Sequence, residues 1–334
     1  EALRAVQGGA HLEVEQSVEG FGAVLRGEVE PLVLAGLLSA LATRRETVAE
    51  LTGAARAMRT HMVPFEHGCP DAIDTCGTGG DGLGTFNLST AAALVAAAAG
   101  ARVVKHGNRA ATSRSGSADL LEAVGVRIEL TPEAAREVLE QVGITYLHAP
   151  LYHPAMKHAG PVRRALGIRT AFNLLGPLCN PGGVQRQLIG VADPTRREEV
   201  AAILEELGTK RAMVVHGAGG ADELTLEGEN AASFAGDLGS FALDGRTLGL
   251  DGAPVAALEG GDADHNAGLL RRLLDGDGGP LRDALLYNAA AALVLAGIAH
   301  DALDGVQRAA EAVDSGAARD RLAQWAALTE ALAA

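Results

Sequence analysis

The sequence is poor in aromatic residues and in cysteine, and each shortage excludes a class of protein. Phe, Trp and Tyr together make up 3% of the chain, which leaves little material for the stacking surfaces that bind single-stranded nucleic acid. The three cysteines, Cys69, Cys76 and Cys179, have neither paired nor C-x-x-C spacing, so neither a disulfide framework nor a zinc site is indicated. A reducing compartment fits this pattern, and we expect the protein to be cytoplasmic.

Long apolar runs and net positive charge are also missing. The longest apolar run, residues 91–99, is far shorter than a membrane span, and no basic segment opens the chain as it would in a secretory signal. We therefore expect no membrane association. The formal net charge of −14 argues against a general affinity for nucleic acid, so an anionic ligand would need a local cluster of basic groups.

Two kinds of apolar pattern divide the 334 residues. From residue 12 to residue 63 apolar residues recur at helical spacing, and no strand pattern interrupts them. From residue 72 onward short apolar strands alternate with helices, which predicts an α/β fold with a mostly parallel central sheet flanked by helices. Ligands of such sheets bind outside the carboxyl ends of the strands, so the loops that follow the strands are expected to form the site.

A glycine-rich segment follows the first predicted strand. Gly77, Gly79, Gly80, Gly82 and Gly84 free the backbone to adopt positive φ, and their N–H groups can approach an anion without hindrance from a Cβ atom. The segment then enters a predicted helix, whose N-terminal donors and dipole attract negative charge. The pattern is typical of a phosphate-binding loop.

The same glycines satisfy the dinucleotide pattern G-x-G-x-x-G, but the acidic residue that should follow is missing. A nicotinamide site needs an acid about 20 positions on to hold the ribose 2′-hydroxyl. Residues 83–117 contain no Asp or Glu, and the second strand runs instead into the basic segment 105–109. This segment favours an anion site over an NAD site, and it leaves open an NADP enzyme that binds the 2′-phosphate.

Two adjacent carboxylates, Asp222 and Glu223, follow a third glycine-rich loop, after the strand predicted at 212–215. Neighbouring residues of an extended chain point to opposite sides, so these two do not form the acid and base pair of a glycosidase. Each can hold a hard cation, because Mg²⁺ binds one or two carboxylates together with phosphate oxygens of a substrate. A solvated surface pair is the alternative interpretation.

Residues 153–170 form a basic run that predicts a helix. Its two histidines, His153 and His158, are five apart, which does not suit zinc binding on a helix. Arg163 or Arg164 could bind a substrate carboxylate, because the planar guanidinium matches the geometry of a carboxylate. From the residues alone, salt bridging at the surface is the favoured interpretation of both arginines.

Taken together, these motifs resemble the anthranilate phosphoribosyltransferase family. The matching segments occur in the family's order and at its intervals; they are 77–82, 86–90, 105–109, 153–156, 173–178, 180–181 and 222–223. The resemblance implies the fold shared with pyrimidine nucleoside phosphorylases, in which a small all-helical domain joins a large α/β domain and the substrates bind between them. We place the small domain at residues 1–65, joined by part of 160–185, and the large domain at 66–334. The resemblance also implies a homodimer formed through the small domains.

The resemblance further implies a reaction and the residues that serve it. In this family the amine of anthranilate displaces pyrophosphate from C1 of phosphoribosyl pyrophosphate (PRPP) in tryptophan biosynthesis, with Mg²⁺, two ions per subunit. By the family pattern, the metal ligands would be Ser89, Asp222 and Glu223, and anthranilate would lie against Gly77, Asn108 and Arg163, with Arg163 as the partner of its carboxylate. The residues expected around PRPP are Gly77, Gly79, Gly80, Asp81, Thr85, Asn87, Leu88, Ser89, Thr90, Lys105, His106, Gly107, Asn108, Ser113 and Ser117. No general base is assigned, because the aniline amine is already neutral and nucleophilic near neutral pH.

Three other functions stay open on the sequence. A nucleoside phosphorylase of the same fold would bind free phosphate through a different loop rich in Lys and Ser, with no Asp-Glu metal pair. A non-catalytic, nucleic-acid-binding relative should carry a basic face, which the net charge of −14 disfavours. An NADP oxidoreductase would leave Arg163 and the two carboxylates without roles.

Overall fold

The protein is described by a computed structural model over residues 1–110 and 113–333. In these ranges the α-helices are α1 (Ala2–Gln7), α2 (Val14–Leu25), α3 (Pro31–Arg44), α4 (Val48–Thr60), α5 (Leu88–Ala98), α6 (Ser117–Ala123), α7 (Pro132–Val142), α8 (Ala149–Tyr152), α9 (Gly160–Leu166), α10 (Ala171–Leu178), α11 (Arg197–Glu206), α12 (Ala263–Leu274), α13 (Pro280–Ala296), α14 (Ala302–Asp314) and α15 (Ala317–Leu332). The strands are β1 (Ile73–Gly77), β2 (Val103–Gly107), β3 (Ile144–His148), β4 (Arg186–Gly190), β5 (Arg211–His216) and β6 (Ala231–Gly236). No helix within the described ranges has both the length and the apolar character needed to cross a membrane.

Helices α1 to α4 pack into a bundle around a mostly aliphatic core that includes Phe21 and Leu51. Helix α4 begins with a capping box, in which the Glu50 N–H donates to Thr47 Oγ1 at 3.2 Å and the Thr47 N–H donates to Glu50 Oε2 at 2.9 Å. The helices expected between residues 12 and 63 are therefore confirmed. The short helix α1 precedes them and has no counterpart in the prediction.

Helices α9 and α10 join this bundle from a later part of the chain. The ring of Phe172 in α10 meets the ring of Phe21 edge-on, with centroids 5.7 Å apart. The same apolar cluster continues onto one face of the sheet through Ile189 and Val214. The core of the bundle therefore continues into the core of the large domain. The domain boundaries stay a proposal: a small domain of residues 1–65, with part of 160–185, and a large domain of residues 66–334.

One sheet holds the described strands in the order β3-β2-β1-β4-β5-β6. Strands β1 to β5 are parallel, and β6 pairs antiparallel with β5 at the edge. Helices α5 and α13 pack on one face of the sheet, and α11 packs on the other. The expected fold, with a helical bundle and a mostly parallel sheet flanked by helices, is confirmed. Its parallel strands bring their carboxyl ends to one edge, where Gly77 lies opposite Gly190.

Strand β4 and the basic run at 153–170 also differ from the sequence-based prediction. Strand β4 was not predicted because its first half is polar; Gln187 is nevertheless 1% exposed, and its amide donates to the Pro177 carbonyl at 2.8 Å. The continuous basic helix predicted over 153–170 is wrong. Within these residues the chain forms a 3₁₀ turn at Pro154–Lys157 and α9, and α9 is followed by Gly167 with a left-handed φ of 62°. Proline at the start of each piece and glycine at the end of the last explain the breaks.

Candidate active site

Three loops meet at the carboxyl edge of the sheet, one each after β1, β2 and β5. Asp222 Oδ2 accepts a hydrogen bond from the Gly79 N–H at 2.7 Å. Glu223 Oε1 accepts one from the Ser89 N–H at 3.0 Å. The glycine-rich loop and the two carboxylates, which are more than 130 residues apart in the sequence, therefore form one continuous wall.

The glycine-rich loop has the backbone conformation that the sequence predicts. Gly79, Gly80, Gly82 and Gly84 have φ values between 64° and 78°, a region that residues with a Cβ atom rarely adopt. Gly77 serves a different purpose, since a Cβ atom there would lie 2.4 Å from Asp222 Oδ2. Four of the glycines thus shape the loop, and the fifth lets the carboxylate approach it.

The acid cluster, formed by Asp81, Asp222 and Glu223, concentrates negative charge in a poorly solvated place. The Asp222 side chain is 9% exposed, and its own N–H lies 3.5 Å from Asp81 Oδ2. Burial raises the pKa of Asp222, and the Asp81 carboxylate raises it further. Burial and the Asp222 carboxylate likewise raise the pKa of Glu223, while the nearby Lys105 ammonium opposes them. A cation among these groups would relieve the repulsion.

Mg²⁺ fits the chemistry of the acid cluster. In the part of the chain that the structure describes, no set of three or more His, Cys, Asp and Glu side chains is arranged to hold a metal ion by itself. The two carboxylates Asp222 and Glu223 suit Mg²⁺, which takes one or two carboxylates together with water and phosphate oxygens. Ser89, Asp222 and Glu223, the three metal ligands that the resemblance implies, all lie beside the glycine-rich loop.

Lys105 lies beneath the glycine-rich loop and is 1% exposed. Its ammonium donates to the carbonyl of Thr75 and lies 3.5 Å from Ser89 Oγ. Asp74 is buried nearby, and its Oδ2 accepts from Asn180 Nδ2 at 2.8 Å. Burial raises the pKa of Asp74, whereas Lys105 opposes that rise. The ammonium is therefore held in one place beside the start of α5, where it favours an anionic ligand.

The other residues predicted to surround PRPP lie on the same strand ends and loops. Ser117 Oγ donates to the Asn108 carbonyl at 3.3 Å and so ties the loop after β2 to the start of α6. The Thr90 hydroxyl is buried in the first turn of α5 without a hydrogen-bond partner among the described residues. The Leu88 side chain is fully buried in the core, so only its backbone can face a ligand. The remaining members of the set are Thr85, Asn87, His106, Gly107 and Ser113.

A cavity of about 700 Å³ opens beside these loops, between the strand ends and helices α4, α9 and α10. Its lining includes Gly77, Asn108 and Arg163, the three residues that the resemblance assigns to anthranilate. The Arg163 guanidinium lies over the Phe172 ring, 5.3 Å from its centroid. Burial lowers the pKa of Arg163, with no carboxylate among the described residues to offset it. This arginine is thus a half-buried cation without an anionic partner among the described residues.

Comparison with known proteins identifies the family. Residues 1–62 match the helical bundle domain of the glycosyl transferase family, and residues 69–319 match its a/b domain. The anthranilate phosphoribosyltransferase of Moorella thermoacetica is 46% identical over 334 residues, which cover 99% of this chain and 98% of that protein. The chain belongs to the anthranilate phosphoribosyltransferase family. The resemblance inferred from the motifs, and the transferase activity it implies, are confirmed.

Solved structures of the same family agree with this assignment. The anthranilate phosphoribosyltransferase of Thermus thermophilus superposes with a TM-score of 0.93 at 47% identity, covering 98% of this chain and 99% of that chain. The enzyme of Saccharomyces cerevisiae, in complex with PRPP and Mg, superposes with a TM-score of 0.88 at 27% identity, covering 96% and 94% of the two chains. The family fold is therefore present over almost the whole length of the chain.

Arg169 is a residue at the family's site to which the sequence alone assigns no role. Its Nη1 donates to the Gly79 carbonyl at 2.8 Å, so it reaches from the linker between α9 and α10 to the glycine-rich loop. A Cβ atom at Gly80 would overlap this guanidinium. The only signal in the sequence is the basic run at 153–170, which does not single out Arg169 from its neighbours.

Two histidines that line the cavity, His106 and His153, are held neutral. Their ring centroids are 5.0 Å apart, and both are buried. Burial lowers the pKa of His106 to about 3, with a further contribution from His153, and burial lowers the pKa of His153 to about 4. Both rings are therefore uncharged over the range in which an unperturbed imidazole titrates.

This depression of pKa predicts a loss of stability in acid. The unfolded chain takes up protons at these histidines below the ordinary value of 6.5, whereas the folded protein resists protonation until about 4 and about 3. The stability they contribute is complete above pH 6.5 and is lost as the pH falls from 6.5 to about 4 for His153 and to about 3 for His106. We expect His153→Gln to flatten the fall of Tm with pH, measured by differential scanning calorimetry. The exposed His300, changed to Gln, is the control; equal slopes in the two variants would contradict the prediction.

Proposed function

We propose that this chain transfers the phosphoribosyl group of PRPP to the amine of anthranilate, releasing pyrophosphate in an Mg²⁺-dependent step of tryptophan biosynthesis. One observation carries the proposal. The glycine-rich loop, Lys105 and the acid cluster converge at one edge of the sheet, beside a cavity lined by Arg163, for which the described residues provide no anionic partner. A polyphosphate ester and an aromatic carboxylate are the two ligands that this combination suits.

The loops around the strand ends would hold PRPP. The glycine-rich loop offers the backbone N–H of Gly80 to phosphate oxygens, and Lys105 supplies a fixed positive charge near it. The hydroxyls of Ser113, Ser117 and Thr90 add donors around the same space. Displacement at C1 of the ribose builds positive charge on the ring and negative charge on the leaving pyrophosphate. Stabilising that separation of charge accounts for most of the catalysis that these residues supply.

The acid cluster would hold Mg²⁺, with Ser89, Asp222 and Glu223 as its ligands. When bound, the metal neutralises charge on the departing pyrophosphate. We assign two ions per subunit, because Asp222 faces the glycine-rich loop while Glu223 faces the start of α5. Two carboxylates that face different segments of the same wall can each bind one ion.

The cavity would hold anthranilate, with its carboxylate on Arg163 and its ring near Gly77 and Asn108. A guanidinium binds a carboxylate through two parallel hydrogen bonds, which fixes the ring and so directs the amine towards C1 of the ribose. No group is assigned to remove a proton, because the aniline amine is neutral before it reacts. The role of this chain at the amine is therefore orientation.

We assign the protein to the cytoplasm and to a homodimer that forms through the small helical domain. All three cysteines are free, which agrees with a reducing compartment. At the start of α3, Leu32 is 88% exposed and its neighbour Val33 is 45% exposed. Large apolar side chains that stand next to each other on the surface favour a contact between subunits at this helix.

A fluorescence assay tests the proposed reaction. The fluorescence of anthranilate should fall when the purified protein is mixed with both PRPP and Mg²⁺, because the amine becomes part of the ribosyl product. Omission of PRPP, omission of the metal, or addition of EDTA should each abolish the change. A folded protein that leaves the fluorescence unchanged with all components present would refute the proposal.

A further inference from the structure

We infer that Asn266 is a positioning residue for PRPP, which acts through the side chain of Asn87 to hold two walls of the phosphate site together. The inference rests on the proposed function, and it adds a residue for which neither the sequence motifs nor the geometry of the metal and anthranilate sites has a role. Asn266 lies in the first turn of α12, in a part of the chain remote from all the motifs. It is 1% exposed.

Both the nitrogen and the oxygen of the Asn266 side-chain amide form hydrogen bonds. Its Nδ2 donates to Asn87 Oδ1 at 2.8 Å, and its Oδ1 accepts from the Gly261 N–H at 2.7 Å. The second bond is local to the start of α12, but the first spans 179 residues of sequence. Because Asn266 Nδ2 is a donor, Asn87 must present its oxygen to it, and this fixes which way the Asn87 amide is turned.

The orientation of the Asn87 amide in turn determines its hydrogen bonds to the segment that contains Ser115. Its Nδ2 donates to the Ser115 carbonyl at 3.1 Å, and its Oδ1 lies 3.4 Å from Ser115 Oγ. Although Asn87 is the N-cap residue of α5, its side chain makes no capping hydrogen bond to that helix. An asparagine at this position ordinarily caps its own helix. Here the side chain instead joins the end of the glycine-rich loop to the segment between Ser113 and Ser117.

A strand-like contact places Asn266 against the same loop. The Gly260 N–H donates to the Gly84 carbonyl at 2.9 Å, and the Phe86 N–H donates to the Leu258 carbonyl at 2.9 Å. A Cβ atom on Gly260 would lie 2.8 Å from Phe86 Cα and 2.9 Å from Asn266 Oδ1. Residues 84–86, residues 258–260 and the start of α12 are therefore packed too closely for one segment to move without the others.

The consequence for PRPP follows from where these segments lie. Residues 84–87 and 113–117 carry Thr85, Asn87, Ser113 and Ser117, all of which are expected around PRPP. If the bond from Asn266 is lost, the Asn87 amide can turn over, and its contact with the Ser115 carbonyl is then lost as well. The cavity that we assign to anthranilate shares none of these bonds, so the two substrates should respond differently.

Asn266→Asp is the sharpest test, because it keeps an oxygen for the Gly261 N–H while it replaces the donor to Asn87 with an acceptor. Loss of a buried hydrogen bond that leaves its partner unsatisfied predicts a rise of about tenfold in the PRPP KM, with an anthranilate KM changed less than about twofold. The dissociation constant of PRPP, measured by calorimetry with Mg²⁺ and without anthranilate, should rise by the same factor. If the Asp variant does not fold, Asn266→Ser serves instead.

Thr329→Val is the matched control. It removes another buried hydrogen bond of the large domain, in which the Arg127 N–H donates to Thr329 Oγ1 at 3.0 Å. We expect this variant to lower Tm and to leave both KM values unchanged. If an Asn266 variant lowers Tm but binds PRPP as tightly as the control does, the role of Asn266 is purely structural and the inference is overturned. Equal rises in the PRPP KM and the anthranilate KM would also overturn it.

A double variant distinguishes action through Asn87 from independent action. If Asn266 acts through Asn87, then Asn87→Ala and the double variant Asn87→Ala, Asn266→Ala should have the same PRPP KM. Fully additive effects would overturn the inference. Failure of the proposed function can be told apart from failure of this inference. A wild-type protein that binds neither PRPP nor anthranilate would contradict both conclusions. A wild-type protein that binds PRPP but does not turn it over would contradict only the proposed reaction.

Discussion

Replacement of Glu223 by Gln is expected to lower kcat by about 10²-fold or more, because a metal-assisted displacement depends on several kcal/mol of charge stabilisation at the leaving group. The amide still offers an oxygen to the Ser89 N–H, which Glu223 holds at 3.0 Å, so the local structure should persist. What the variant loses is the charge that attracts Mg²⁺. The measurement is kcat at saturating PRPP over a series of Mg²⁺ concentrations.

The same variant should be as stable as the wild type, or more stable, when no metal is present. Asp81 and Asp222 repel Glu223 in a poorly solvated cluster, and a neutral amide removes that repulsion. Addition of Mg²⁺ with PRPP should raise the Tm of the wild type and have much less effect on the variant. Loss of activity together with this pattern of Tm separates loss of metal binding from misfolding.

Glu229→Gln is the control for this experiment, since Glu229 is an exposed acid on the same loop. It should leave kcat, the Mg²⁺ dependence and the ligand-induced rise in Tm unchanged. If Glu223→Gln retained wild-type kcat at limiting Mg²⁺, Glu223 would not be a metal ligand, and the assignment of the acid cluster would be wrong.

The second large effect is expected at Arg163. Its change to Ala should raise the anthranilate KM by about 10- to 100-fold, the range expected when a charge-assisted hydrogen bond is lost, with little change in the PRPP KM. The physical reason is that Arg163 lines the cavity as a half-buried cation without a carboxylate partner among the described residues. Steady-state kinetics with each substrate varied in turn gives both KM values.

Two further substitutions sharpen this prediction. Arg163→Lys keeps the charge but loses the planar pair of donors, so its anthranilate KM should lie between those of the wild type and the Ala variant. Arg164→Ala tests the neighbouring arginine, which is exposed, and its effect should be smaller. If Arg163→Ala raised the two KM values equally, Arg163 would not be the partner of the anthranilate carboxylate.

Much of the site could be predicted because the residues that give it its chemistry lie in short segments of the sequence. Four positive φ angles in the glycine-rich loop, and the basic segment where a dinucleotide site needs an acid, are local properties of residues 77–109. Asp222 and Glu223 could be linked to them because loops after parallel strands meet at one edge of the sheet. In each case a local pattern and one rule of topology were sufficient.

Arg169 and Asn266 could not be found in this way. Arg169 belongs to a run of basic residues, and its contact with the Gly79 carbonyl depends on where the linker between α9 and α10 crosses the sheet. Asn266 stands in an ordinary amphipathic helix, and nothing near it in the sequence points to Asn87. Strand β4 was missed for a related reason, since the amide nitrogen of its buried Gln187 donates to a carbonyl in another element.

The sequence by itself determined the two-part organisation, the phosphate-binding loop and the family of this protein, because helix periodicity, glycine content and motif spacing act over short stretches of chain. Only the tertiary structure decided that Arg163 lacks an anionic partner among the described residues, that three carboxylates crowd one partly buried place, and that Asn266 turns the amide of Asn87. Those properties depend on burial and on distances between segments far apart in the chain. They arise only when the sheet and the helices pack.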